Sequence, residues 1–213
     1  MKSDPTLKRI ALAAACALSL LVPNVQAADG TWTNQLGGSW GDTNNWLNGA
    51  LAGGSGGTAY FNTIDVPTNS GGITVTVDYS DYVNYTYITN ANLYFGDTVT
   101  NDGVANWTLN EGGAGITLDS TTTSNSIIDV NLATGASNNL VAGWGTVTMA
   151  AGLHGTNTLV KSGPSPLILS VGNDYSGGTI ISNGMIEVGA NLNNTVFGAG
   201  PIFFYGGSLR LWQ

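Results

Sequence analysis

Residues 159–188 read LVKSGPSPLILSVGNDYSGGTIISNGMIEV, and this stretch decides the fold. Two short runs within it, 167–171 and 186–188, place aliphatic residues at alternate positions, which is the pattern of a strand with one buried face. Glycine and asparagine lie between the runs and suit tight corners. Because each run is too short to bury its apolar face alone, the stretch predicts strands that stack on neighbouring strands.

The same alternation recurs along the chain, and glycine precedes an aliphatic pair at Gly72, Gly115, Gly184 and Gly207. The uneven intervals between these glycines predict coils of about 20 to 25 residues, some of them unmarked, with glycine at positive φ in the corners. About eight such coils would rise about 40 Å. The clearest predicted strands are 73–77, 85–88, 116–118, 127–130, 147–149, 167–171, 186–188 and 209–211.

Composition independently excludes a mainly helical protein. After position 27, Gly, Asn and Thr occur 77 times, whereas Glu, Lys, Gln, Arg and Met together occur 8 times. Glycine costs about 1 kcal/mol per helical position relative to alanine, and the five scarce types include most of the strong helix formers. An all-β domain with many turns is therefore expected.

The N-terminus has the organisation of an export signal. Lys8 and Arg9 precede an uncharged run over residues 10–22, and Ala27 follows at a position suited to signal peptidase. The run is shorter than the roughly 20 residues that span a bilayer, so we expect cleavage after Ala27 and no stable membrane insertion. Cys16 is the only cysteine and lies within this signal, which excludes disulfides and thiolate sites from the processed chain.

Charge narrows the range of partners. Beyond position 27 only Lys161 and Arg210 oppose twelve carboxylates, a net charge of −10. Nucleic acids and anionic membrane surfaces are bound mainly through clustered Lys and Arg. The sequence therefore predicts no nucleic-acid partner.

Residues 159–188 resemble the autotransporter-associated β-strand repeat. That repeat combines a Leu-x-Lys-x-Gly start, a Leu-x-Leu strand, an Asn-x-Tyr-x-Gly-Gly-Thr turn and a closing Gly-x-Leu-x-Val strand. The matching positions are Leu159, Lys161, Gly163, Leu167, Leu169, Asn173, Tyr175, Gly177, Gly178, Thr179, Gly184, Ile186 and Val188. Ser165 and Pro166 depart from the pattern and predict a bend or a shortened start to the following strand. Residues 197–213 resemble a partial continuation of the repeat.

The resemblance implies a right-handed parallel β-solenoid in the passenger region of an outer-membrane secretion system. The domains expected are a signal peptide over 1–27, a Trp-rich N-terminal cap over 28–62 and the solenoid over 63–213, because residues around Trp32, Trp40 and Trp46 resemble the opening of large exported repeat proteins. The implied function is a non-enzymatic scaffold or adhesin, at the cell surface or secreted. Surface glycans or other cell-surface proteins are the expected partners, and no cofactor is expected.

Two other functions stay open. Trp32, Trp40 and Trp46 could stack on sugars as a carbohydrate-binding module, although capping the first coil is the preferred interpretation. Asp78 and Asp81 could serve a glycan-active enzyme, but solvated turn carboxylates are the simpler interpretation. His154 is the only histidine and is interpreted as a turn residue. Residues 97–103 are rich in oxygen ligands, yet their spacing does not match a calcium loop, so no metal site is predicted.

Overall fold

The computed structural model describes residues 27–67, 71–78, 87–99, 105–112, 115–120, 123–132, 145–188 and 195–211. The helices in these ranges are two 3-10 turns, Thr43–Asn45 and Leu47–Gly49, and neither approaches the length of a membrane span. All other regular structure is β. The strands are β1 Gly30–Thr31, β2 Gly38–Ser39, β3 Thr58–Phe61, β4 Ile73–Asp78, β5 Tyr87–Asn90, β6 Asn92–Gly96, β7 Asn106–Gly112, β8 Gly115–Leu118, β9 Asn125–Asn131, β10 Thr146–Ala150, β11 Leu153–His154, β12 Thr158–Ser162, β13 Pro166–Leu169, β14 Thr179–Ile181, β15 Met185–Val188, β16 Ile202–Phe204 and β17 Ser208–Leu211.

The strands form three sheets, in which the pairing between named strands is parallel. Sheet 1 has the order β1-β3-β6-β9-β12-β14-β16, sheet 2 the order β2-β4-β7-β10-β13-β15-β17, and sheet 3 the order β5-β8-β11. The chain visits the sheets in turn, and each new strand pairs with the strand from the previous visit. This all-β topology of parallel sheets is compatible with a β-solenoid. Within the described residues sheets 1 and 2 each contain seven strands, against the roughly eight coils expected.

Coil length changes along the molecule. Three successive strands of sheet 1 begin at Asn92, Asn125 and Thr158, which is a long and equal spacing. The next two begin at Thr179 and Ile202, after much shorter intervals. The predicted coil length is therefore right only for the C-terminal coils. The longer coils each contain an additional strand, which builds sheet 3.

The core consists of inward side chains that stack in register from coil to coil. Leu169 of β13 lies between Met149 of β10 and Val188 of β15, and all three are buried. Parallel pairing without slippage keeps the inward positions aligned, because a shift of one residue would turn every apolar side chain outward. The buried column is Val75, Leu109, Met149, Leu169 and Val188, and Leu211 of the last strand continues it in register but is 65% exposed.

Each predicted strand overlaps a strand of the structure, although residues 170 and 171 of the run 167–171 lie beyond the end of β13. Seven of the eight runs coincide with or overlap β4, β8, β9, β10, β13, β15 and β17, and the eighth overlaps β5 at 87–88, its first two residues lying outside the described ranges. The start of the strand over 167–171 is not shortened as predicted: β13 begins at Pro166 itself, a position that a proline can occupy as the first residue of a strand. The strand instead ends early, at Leu169, two residues before the predicted end. The export signal over 1–27 lies outside the described ranges except for Ala27.

Two different physical reasons explain why glycine occupies the four positions that precede aliphatic pairs. Gly72 and Gly184 have positive φ angles of 96° and 69°, as predicted for corners. Gly115 and Gly207 do not have positive φ angles. A β-carbon on Gly115 would lie 2.4 Å from His154 Nε2, and one on Gly207 would lie 2.3 Å from Ile181 Cγ2, so these two are glycine because of close approach.

Candidate functional site

The three tryptophans proposed for sugar stacking are inside the protein. Trp32 and Trp40 are 0% exposed and Trp46 is 3% exposed. Their rings pack against one another, with centroids 5.2 Å apart for Trp32 and Trp46 and 5.1 Å apart for Trp40 and Trp46. All three surround Phe61 of β3 at 5.5 to 5.9 Å. We call these four residues the tryptophan cluster.

Hydrogen bonds within the protein also satisfy the polar edges of the indoles. Trp32 Nε1 donates to the carbonyl of Asn34 at 2.6 Å, Trp40 Nε1 to that of Ala52 at 3.0 Å, and Trp46 Nε1 to that of Trp40 at 2.6 Å. A sugar-binding indole needs an exposed ring face, and its N–H is usually the polar handle. Burial and bonding together therefore argue against a carbohydrate-binding role for Trp32, Trp40 and Trp46.

Local sequence explains how the cluster forms. Asp42 caps the first 3-10 turn by accepting from the Asn44 amide at 2.9 Å, which directs the chain back toward the first coil. Asn45 then donates to the Ser39 carbonyl at 2.8 Å and accepts from Asn34 at 2.7 Å. These bonds hold the segment that contains Trp46 over β1 and β2, so the aromatic rings extend the core at this end of the sheets.

The residues considered for catalysis are dispersed. His154 lies in β11, and its Nδ1 is 2.6 Å from Asp174 Oδ1, while its ring packs over Gly115 and Gly152. Asp78 accepts from the Ser39 hydroxyl at 2.9 Å, and Asp81 lies outside the described residues. The structure thus places His154 in strand β11, with its ring within hydrogen-bonding distance of Asp174, and not in the turn predicted for it.

The oxygen-rich stretch at 97–103 is described only over 97–99. There Asp97 Oδ1 accepts from the amides of Val66 and Val99, at 3.1 and 3.2 Å, and so joins two successive corners. The described residues contain no group of three or more His, Cys, Asp or Glu side chains arranged to hold a metal ion.

Lys161 occupies an unusual position that sequence reasoning did not identify. It takes an inward place in sheet 1, in register with Ile128 and Ile181, and is 0% exposed. Its Nζ donates to the carbonyls of Ser162, of Gly163 at 2.8 Å and of Asn183 at 3.3 Å. Burial lowers the pKa of Lys161 to about 8, against the opposing effect of the Asp129 carboxylate. This ammonium therefore connects the corners of two successive coils.

The outer face of sheet 2 carries a regular block of small, uncharged side chains that sequence reasoning also missed. The sequence feature that could have revealed this block is the repeated alternation of Thr or Asn with an apolar residue in 74–76, 106–110 and 146–148. Register aligns these outward residues across β4, β7 and β10. We call the block the threonine face, and its members are Thr74, Thr76, Asn106, Thr108, Asn110, Thr146, Thr148 and Ala150.

Comparison with protein-family models, with curated proteins and with solved structures finds no match to this chain.

Proposed function

We propose that this chain is an exported, non-enzymatic right-handed β-solenoid that serves as a passenger-like scaffold or adhesin outside the cell. The observation that carries the proposal is the place that each repeat-like residue takes in the fold. Leu159, Leu167, Leu169 and Ile186 are buried. Gly163, Gly178 and Gly184 have positive φ angles of 74°, 93° and 69°. The aliphatic positions of the repeat pattern thus coincide with core positions, and these three glycines with corners.

Asn173 of the repeat-like stretch bonds to neighbouring coils, whereas Tyr175 is held within the stretch itself. Asn173 accepts from the Leu153 amide at 2.8 Å and donates to the Val196 carbonyl at 2.6 Å. Tyr175 is buried, and its hydroxyl lies 2.6 Å from Thr179 Oγ1. Since Asn173 and Lys161 bond to more than one coil, the pattern supports stacking as its purpose and not a reaction.

The tryptophan cluster fits the cap in this proposal. A stack of coils would otherwise expose apolar side chains and unpaired strand edges at its first coil. The cluster packs over that end, and the segment closes with antiparallel bridges between Ala28 and Gly53 and between Trp32 and Trp46. The proposed cap, 28–62, also contributes β1, β2 and β3 to the sheets, so cap and coils form one hydrophobic core.

Export can be tested directly by expressing the full chain in a Gram-negative host and sequencing the N-terminus of the protein recovered outside the cytoplasm. We expect it to begin at Ala28. Ala27→Leu is the matched control, because it alters only the residue that the peptidase reads and should leave the signal attached. Protein that stays in the cytoplasm with Met1 or Lys2 at its start would contradict the proposal.

Adhesion is tested separately with the processed protein immobilised on beads. An adhesin should retain cells or cell-envelope material, and retention should rise with bead density because a repeated surface acts through avidity. Release of reducing ends from any polysaccharide in the same material would instead favour the enzyme alternative.

A further inference from the structure

The threonine face forms a two-dimensional grid. Thr74, Thr108 and Thr148 stand in one column across β4, β7 and β10, on strands about 4.8 Å apart. Within each strand the next outward residue is about 6.6 Å away, which is two residues of a parallel strand. The grid therefore has two fixed spacings, both set by the backbone and not by side-chain flexibility.

The hydroxyls of the central column are free for an outside partner. Thr74 is exposed, Thr108 and Thr148 are partly exposed, and none of the three hydroxyls is hydrogen-bonded within the described part of the chain. β-Branching restricts the χ1 angle of each threonine. The hydroxyl and methyl groups are consequently held in place before anything binds, which lowers the entropy lost on binding.

The face has no feature that would select a charged or aromatic-stacking ligand. Its eight members are uncharged. The nearest outward charge is Asp78, the next outward residue of β4 after Thr76, whose carboxylate accepts from the Ser39 hydroxyl at 2.9 Å at the edge of the face. In the central column the charged residues are Glu187 and Arg210, which pair with each other at 3.4 Å in the last two coils. Trp107, the tryptophan of β7, points into the core and is 0% exposed. The face itself thus presents hydroxyl, amide and methyl groups and no aromatic ring, and one carboxylate, that of Asp78, lies at its edge.

We propose that the threonine face binds ice. Water molecules that accept from and donate to the hydroxyl column would be held at the strand spacing, with the threonine methyl groups between them. Oxygen atoms that are not direct neighbours in ice are separated by distances of this order, so the bound waters can belong to the crystal lattice. The rigid ladder below the face keeps the spacing constant across the three coils. This activity is additional to the proposed surface role and does not depend on export.

The test measures ice recrystallisation in a frozen solution of the purified protein, with albumin as an inert comparison. We expect the wild-type protein to keep ice crystals small. Thr108→Lys places a long charged side chain at the centre of the face. The protein concentration needed to inhibit ice recrystallisation should rise by at least about tenfold, because an unpaired charge and a steric clash oppose contact with a flat ice lattice. Thr148→Lys should act in the same way.

Thr89→Lys is the matched control, since Thr89 is a partly exposed strand residue of sheet 3, in register with Thr117 and away from the threonine face. It should inhibit recrystallisation as the wild-type protein does. Thr108→Val keeps the β-branched shape while removing the hydroxyl, and its urea unfolding midpoint should match that of the wild-type protein while its inhibition falls. Crystal growth equal to that with albumin, full activity of Thr108→Lys, or retention on crystalline cellulose in place of ice would each overturn the proposal.

Discussion

Truncation of Leu169 tests the stacked core most directly. Leu169 is fully buried and lies in register between Met149 and Val188. Leu169→Ala removes three carbon atoms, a loss of about 2.4 kcal/mol at about 0.8 kcal/mol for each buried carbon. Backbone hydrogen bonds hold the strands at their spacing, so the site cannot collapse fully and a cavity term adds to the loss. We expect a total of about 3 to 4 kcal/mol, within the range measured for buried leucines, which is about 2 to 5 kcal/mol.

The assay is urea unfolding followed by far-ultraviolet circular dichroism. Ile168→Ala is the matched control, because it removes the same number of carbon atoms from the adjacent, partly exposed outward residue. Its cost should stay below about 1.5 kcal/mol, since only part of that side chain is buried. Leu169→Asp should abolish cooperative unfolding, because an unpaired carboxylate would be buried in the column. Equal and small effects at positions 168 and 169 would refute both the strand parity and the stacking of coils.

Three further changes probe other parts of the structure. Between about pH 8 and 10.5, the free energy of unfolding should rise with pH by up to about 3 kcal/mol, because in this range Lys161 is deprotonated in the folded chain but still protonated in the unfolded chain. Lys161→Met should flatten this rise, as measured by urea unfolding at several pH values. Gly178→Val should destabilise more than its size suggests, because Gly178 has a φ of 93° and its β-carbon would lie 2.5 Å from the Pro201 carbonyl oxygen. Gly71→Val is the comparison by thermal unfolding and should cost less, because Gly71 has a similar φ of 81° but nothing lies within 4 Å of its β-carbon. Trp40→Ala should cost about 3 to 5 kcal/mol by urea unfolding, and an unchanged midpoint would mean that the tryptophan cluster is not part of the core.

Strands could be predicted from the sequence because their determinants are local. A run such as 147–149 alternates apolar and polar residues, and this period alone assigns one face to the core. Coil number was predicted less well, since glycine marked the corners unevenly and, although β5 and β8 of sheet 3 were predicted, not every strand carries a pattern. Leu153–His154, for example, is a strand of two residues with no alternation to detect.

The candidate sites were harder to predict because exposure depends on distant residues. Tryptophans among polar neighbours suggest a surface platform, yet Trp40 is buried because Phe61 and Trp46 pack around it. The bonding of Ser170 likewise depends on a residue that is distant in the chain. The parity of Ser170 places it on the outer face as predicted, but its hydroxyl donates to the Met149 carbonyl of the neighbouring strand at 3.0 Å. Ser170→Ala is therefore expected to cost about 0.5 to 1.5 kcal/mol, more than an unbonded surface serine would.

The sequence by itself determined the all-β class, the inward and outward faces of most strands, the acidic charge and the absence of a cysteine after position 27. These properties follow from residue type and from a period of two, which a reader of the chain can count. Only the tertiary structure decided the register that aligns Thr74, Thr108 and Thr148, which are unequally spaced and far apart in the chain. It also decided that Lys161 is buried, where its ammonium group donates hydrogen bonds to the carbonyls of two corners. Both outcomes depend on which strands become neighbours, and corners of unequal length determine that pairing without leaving a periodic mark in the sequence.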